Sequence, residues 1–244
     1  MSGPDILVPL DGSERARCAL PVAERLSELL KMPVRILQLT DQAGALAEAA
    51  DRQAGLIVMS AHTAQARPAE GIGPAALAVL RDAPCPVVLV DPARAPQAWT
   101  LGRVLVPHDG SPAVSGAVRP AAELAGQAGA ELVVLQAAGA EQAAERGSIA
   151  PPLYVDQPQH EWPAWSGEFL QRLAIACPLA DVRVRLLVGR GEPAEETIRA
   201  ANDEAADLIV LAWKGHWKPQ SAPTLKAVLR AAPCPIMVTR IPAR

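Results

Sequence analysis

The chain has 244 residues, 50% hydrophobic and 20% charged, a globular composition that excludes a disordered tail or a fibre. One Phe and one Tyr leave Ala, Val, Leu and Ile to build the core. The net charge of −3 provides no basic surplus to neutralise a phosphate backbone, which argues against nucleic acid as a partner.

In chain order, Ile6–Pro9 is a short apolar run that predicts a buried strand. A helix is expected over Ser13–Leu30, a strand over Val34–Leu39, a helix over Gln42–Gln53 and a strand over Leu56–Ser60. Pro74–Arg81 predicts a helix and Val87–Val90 a strand. Pro92 and Pro96 then break structure in a linker over 91–100. Arg103–Pro107 predicts a strand, and Ser111-Pro112 opens an Ala-rich helix that runs to Ala128 and stops at Gly129. Leu132–Gln136 is the next strand, and 137–160 carries enough Pro and Gly to read as loop. Trp162–Cys177 is helix-like, and Val182–Val188 alternates as an edge strand does. The chain closes with helix Pro193–Glu204, strand Leu208–Ala212, helix Ala222–Ala231 and strand Pro235–Thr239. Strands alternating with helices imply parallel strands joined by right-handed crossovers.

Cys18, Cys85, Cys177 and Cys234 form no Cys-x-x-Cys pair and are expected to be reduced, buried thiols of a cytosolic protein. The N-terminus shows no secretory signal. The longest apolar stretches, such as Leu208–Trp213, are strand-sized and fall well short of the roughly 20 residues of a membrane span. A cytoplasmic protein without membrane contact is expected.

The chain repeats itself. Leu7-Val8-Pro9-Leu10-Asp11-Gly12-Ser13 recurs 98 residues later as Leu105-Val106-Pro107-His108-Asp109-Gly110-Ser111. Leu56-Ile57-Val58 recurs at 208–210, an offset of 152, and Ala83-Pro84-Cys85-Pro86 at 232–235, an offset of 149. Landmarks in the same order indicate duplication. Between the first two landmarks the second copy is 54 residues longer, room for one extra helix and one extra strand. The first copy is therefore expected to have four strands and the second five.

Strand–Pro-x-Asp-Gly-Ser–helix, then Leu-Ile-Val, then Ala-Pro-Cys-Pro before a last strand, resembles the universal stress protein family over nearly the whole chain. Gly191-Glu192-Pro193 after a strand fits the same pattern. The resemblance implies two tandem doubly wound α/β domains, Rossmann-like with strand order 3-2-1-4-5, at 1–95 and 96–244. The first would lack edge strand 3. It also implies an internal pseudo-dimer in which Val87–Val90 meets Pro235–Thr239.

Nucleotide-binding members of that family carry a loop, Gly-x-x-Gly-x9-Gly-Ser/Thr, whose backbone amides hold phosphates. In the first copy its positions fall on Ser60, Thr63, Gly73 and Pro74. In the second they fall on Ala212 and Gly215, with a shortened end at Ala222-Pro223. Each copy keeps one glycine, and Pro replaces the hydroxyl residue and removes an N–H donor. The expected function is thus a non-enzymatic stress-response or regulatory module that binds protein partners and no cofactor, with a further homodimer left open. The alternative is an ATP or other adenine-nucleotide sensor. In that case the resemblance puts the ligand on Pro9, Asp11, Leu39 and Gly73, or on Pro107, Asp109, Ala137 and Gly215. A third reading, a weak hydrolase, lacks a nucleophile–base pair.

Asp11 and Asp109 could contact ribose, but a local Asx turn is the preferred reading. Trp213-Lys214-Gly215-His216-Trp217-Lys218 could stack on a base. Packing or an interface is preferred there, as it is for Trp162 and Trp165. His62, His108, His160 and His216 show no metal-ligand spacing. A pairing of His62 with His216 across the two copies is left open. Four of the five Trp fall in the second copy beyond the linker, so recognition is expected there.

Overall fold

The computed structural model describes residues 4–38, 54–62, 71–111, 114–138, 161–177, 179, 181–215, 217 and 222–241. Four strands come from the first half: β1 (Ile6–Leu10), β2 (Val34–Gln38), β3 (Leu56–Ser60) and β4 (Val87–Val90). Five come from the second: β5 (Arg103–His108), β6 (Glu131–Ala138), β7 (Arg183–Arg190), β8 (Leu208–Trp213) and β9 (Ile236–Arg240). They form one sheet in the order β2-β1-β3-β4-β9-β8-β5-β6-β7. Neighbours within each half are parallel, and β4 meets β9 antiparallel, with Val88 opposite Met237. The second half thus has the order 3-2-1-4-5. Among the described residues no fifth strand pairs with β2, which ends the sheet on that side, as the repeat arithmetic predicts.

Among the described residues six helices cover the two faces: α1 (Leu20–Leu30), α2 (Pro74–Asp82), α3 (Ser115–Ala128), α4 (Glu161–Ala176), α5 (Pro193–Asp203) and α6 (Pro223–Ala231). Side chains alternate across a strand, so one face takes Ile6, Val8, Val104 and Val106 and the other takes Leu7 and Leu105. The first set packs with Val22 and Leu26 of α1, Val118 of α3 and Phe169 of α4. The second packs with Val79 of α2, Ala200 of α5 and Val228 of α6. Both faces are covered, which is why the central strands are continuous apolar runs.

Several expected boundaries move. The helix expected from Ser13 is a turn, a 3-10 turn over Ala16–Ala19, and then α1. Pro21 lies in the first turn of α1, where its missing N–H costs nothing. The helix expected from Ser111 likewise starts at Ser115 and ends at Gly129, whose φ of 64° is the left-handed stop that glycine supplies. Strand β6 runs on through Ala138 because β7 pairs with it over its whole length. The helix expected over 42–53 and most of the loop expected over 137–160 lie outside the described residues.

The segment 91–100 does not simply break structure. Trp99 is buried, and its indole N–H donates to the Asp207 carbonyl at 3.0 Å. The Asp207 carboxylate accepts from the amides of Gly102 and Arg103. Arg94 donates to the carbonyls of Arg230 and Ala232, the last residues around α6. In the opposite sense Arg240 donates to the Arg81 carbonyl near the end of α2. Arg81 and Arg230 are equivalent positions of the repeat. Each half therefore sends a cation to the same helix C-terminus of the other, where orphan carbonyls and the helix dipole favour it.

Candidate functional site

Ligands of parallel α/β sheets bind beyond the carboxyl ends of the strands. In the second half that region holds a cavity of about 160 Å³, lined by Pro107, His108, Asp109, Leu211, Ala212 and Thr224 among others. Its most constrained member is His108. The ring is 3% exposed, and its Nδ1 accepts the Gly110 amide at 2.8 Å. Nδ1 is then the unprotonated nitrogen, so Nε2 carries the proton and donates to Ser115 Oγ at 3.2 Å. Ser115 Oγ donates onward to the Ser111 carbonyl. Phe169 meets the imidazole edge-on at 5.2 Å. Burial pushes the His108 pKa down to about 4, against the pull of the Asp109 charge, so the ring is neutral at pH 7.

Asp11 and Asp109 act alike. Asp11 Oδ1 accepts the Ser13 amide at 3.0 Å and the Ser13 hydroxyl at 2.6 Å. Asp109 Oδ1 accepts the Ser111 amide at 2.9 Å. Both are Asx turns, the local reading preferred from sequence. Both carboxylates are exposed at the strand ends.

Among the described residues of the first loop, the donors at Ser60, His62 and Gly73 are spent within the loop. The Ser60 hydroxyl donates to the His62 carbonyl, and the His62 amide donates back to Ser60 Oγ. The Gly73 amide donates to the Ala61 carbonyl at 2.8 Å. Pro74 opens α2 and has no N–H to offer. Thr63 and Leu39 lie outside the described residues, and Pro9 is buried in β1.

In the second loop Trp213 is buried and Trp217 stands edge-on to it at 6.2 Å between ring centres. The Lys226 ammonium lies 5.1 Å over the Trp217 ring. Gly215 has φ 82°, and a Cβ there would come within 3.1 Å of the Arg240 guanidinium. The left-handed turn thus favours glycine, and a Cβ would also press on the Arg240 guanidinium. Pro223 opens α6. Ala137 lies at the end of β6, paired with Gly189. His160, His216 and Lys218 lie outside the described residues, so the His62–His216 pairing is not described.

Among the described residues no three His, Cys, Asp or Glu side chains cluster as a metal site, and no helix is long and apolar enough to cross a membrane. The cysteines are free, but only Cys177 is fully buried; Cys18, Cys85 and Cys234 are half-buried, which corrects the expectation of four buried thiols. Burial still raises the thiol pKa, to about 11 for Cys18 and Cys85 and about 12 for Cys234, so they are protonated and unreactive near neutrality.

Sequence reasoning weighed His108 only for metal spacing. Its available signal was that Leu10 occupies the same place in the first copy. A second cavity is lined by Arg15, Arg94 and Arg230, which no motif linked.

The family model for universal stress proteins matches residues 100–240. A universal stress protein from Archaeoglobus fulgidus DSM 4304 superimposes with a TM-score of 0.64 at 15% identity, covering 99% of this chain and 97% of that one. A protein assigned to the same family from Pseudomonas aeruginosa UCBPP-PA14 gives 0.64 at 18% identity, covering 97% and 93%. A protein of unknown function from Pseudomonas aeruginosa PAO1 gives 0.60 at 20% identity, covering 96% and 81%. These likenesses concern the fold. No curated protein matches the sequence.

Proposed function

The chain belongs to the universal stress protein family, and from that premise we propose that it is a non-enzymatic stress-response or regulatory module of the cytoplasm. It acts through protein partners and holds no adenine nucleotide in the family's loop mode. Its two copies divide at residues 95 and 96. The observation that carries this reading is the fate of the loop donors. The Gly73 amide is spent on Ala61, and Pro74 and Pro223 open their helices without an N–H. A triphosphate held by backbone amides needs those groups free.

The 160 Å³ cavity at Asp109 is also below the roughly 300–1,000 Å³ of small-molecule pockets, which supports the same reading. The alternative, a nucleotide sensor, draws on one fact: Pro107 and Asp109 do line that cavity.

Titration of the full chain with ATP, ADP and AMP, followed by tryptophan fluorescence and calorimetry, separates the two. Trp213 and Trp217 sit at the second loop and report on it directly. The expected result is no saturable binding; micromolar binding of any of the three makes the protein a sensor instead.

A further inference from the structure

We propose that the seam between the two halves holds a binding site for a small phosphate-type oxyanion, formed by Arg15, His62, Arg94 and Arg230. A cavity of about 340 Å³ opens there, lined by these four residues together with Asp91 and its neighbours. Arg15 comes from the turn after β1, His62 from the end of β3 and Arg94 from beyond β4. Arg230 is contributed by α6 of the other half.

Three guanidinium groups face one carboxylate, a formal surplus of two positive charges. Asp91 is already engaged: Oδ2 lies 3.2 Å from Arg94 Nη1, and Oδ1 accepts the Ala93 amide at 2.9 Å. Arg94 is held in place by the Arg230 and Ala232 carbonyls, which take only Nη1 of its fork. Arg15 and Arg230 have no carboxylate partner among the described residues. The stem of Arg230 is seated on Gly71, where a Cβ would come within 2.5 Å of its Cγ.

His62 points independently to a ligand. The residue is 8% exposed, and its Nδ1 has no hydrogen-bond partner among the described residues. Its backbone is fixed by the two bonds to Ser60, so the ring cannot swing far to find one. A buried ring nitrogen without a partner is costly, and His62 lines a cavity that carries a cationic surplus. An oxyanion satisfies it: Nδ1–H donates to one oxygen while the guanidinium forks take the others. Planar forks match tetrahedral phosphate in pairs, and a phosphate dianion balances the surplus of two charges. Arg15, Arg94 and Arg230 lie outside the family loop, which contributes only His62. A ligand there would tie the first half to α6 of the second.

The test is calorimetry of the full chain with inorganic phosphate, against chloride at equal ionic strength, in parallel with glycerol phosphate and AMP. Saturable phosphate binding is expected. Arg15→Gln and Arg230→Gln should each weaken it at least about tenfold, the scale of one lost charge-assisted hydrogen bond. Arg25→Gln, an exposed arginine paired with Glu28 on α1, should leave it unchanged. Both site arginines are exposed, so circular dichroism and the phosphate-free melting temperature should match the parent. Absence of saturable phosphate binding overturns the proposal, as does binding that survives both substitutions. Phosphate binding without AMP binding supports this site and leaves the non-nucleotide reading standing. AMP binding without phosphate binding overturns both.

Discussion

Ile36 and Val134 are equivalent residues of the repeat, opposite Val8 and Val106 in the same parallel register. Val134 is fully buried and Ile36 is 53% exposed. The chemistry of the two side chains is nearly the same; what differs is the neighbour. Strand β6 lies between β5 and β7, whereas β2 is the last strand on its side. Val134 also packs in one cluster with Phe169 and Leu173 of α4, so burial here follows from what flanks and covers the strand and not from the residue.

The sharpest way to break that comparison is to place a charge at each position. Val134→Asp buries an unpaired carboxylate and should cost more than about 4 kcal/mol, enough to threaten folding altogether. Ile36→Asp should cost no more than about 0.5 kcal/mol, as exposed substitutions do. Urea denaturation of the two variants measures the gap. Equal losses would mean that β2 is covered as β6 is.

A second pair, Leu10 and His108, differs in chemistry at one buried position. Unfolded, the imidazole takes up a proton below its ordinary pKa of 6.5; folded, it does so only at about 4. The unfolded state therefore binds more protons in that window, and acid destabilises the native protein as pH falls from 6.5 towards 4. A shift of this size corresponds to about 3 kcal/mol. His108→Leu, which copies the first half, should flatten the stability profile across this window. It should also lose about 1 kcal/mol at pH 7, because the Gly110 amide loses its acceptor. Glu131 and Glu204 are held below the carboxylate range, first of all by hydrogen bonds from Arg185, and lose their contribution at still lower pH. The difference between parent and variant isolates the histidine. Parallel profiles for the two proteins would show that His108 is not the acid-sensitive group.

The smallest contrast lies in the two seam arginines. Arg94 serves two carbonyls and an aspartate, whereas Arg240 serves one carbonyl. Arg94→Ala should cost about 1–2 kcal/mol and Arg240→Ala about 1 kcal/mol. Differential scanning calorimetry compares them, and unchanged melting temperatures would remove these caps from the account of what holds the halves together.

Much of this was legible in the sequence. The apolar runs at Leu56–Ser60 and Leu208–Trp213 could only be central strands, because both faces of a doubly wound sheet are covered. The jump in repeat offset from 98 to 152 located the missing strand. Asp-Gly-Ser after a strand announced an Asx turn, since that bond is local. The anion cavity gave no such sign. Arg15, His62, Arg94 and Arg230 belong to no common motif, and nothing in their local context joins them. Trp99 showed the same limit. It lies in a segment read as linker, and only the Asp207 carbonyl, 108 residues away, explains its burial.

By itself the sequence determined which segments are strands and helices, their alternation and the unequal copies. Those depend on periodicity, turn chemistry and residue size, all short-range properties. Tertiary structure decided which equivalent residues are buried, which nitrogen of His108 carries its proton and which arginines meet at the seam. Those depend on contacts between distant segments, and such contacts exist only once the sheet has assembled.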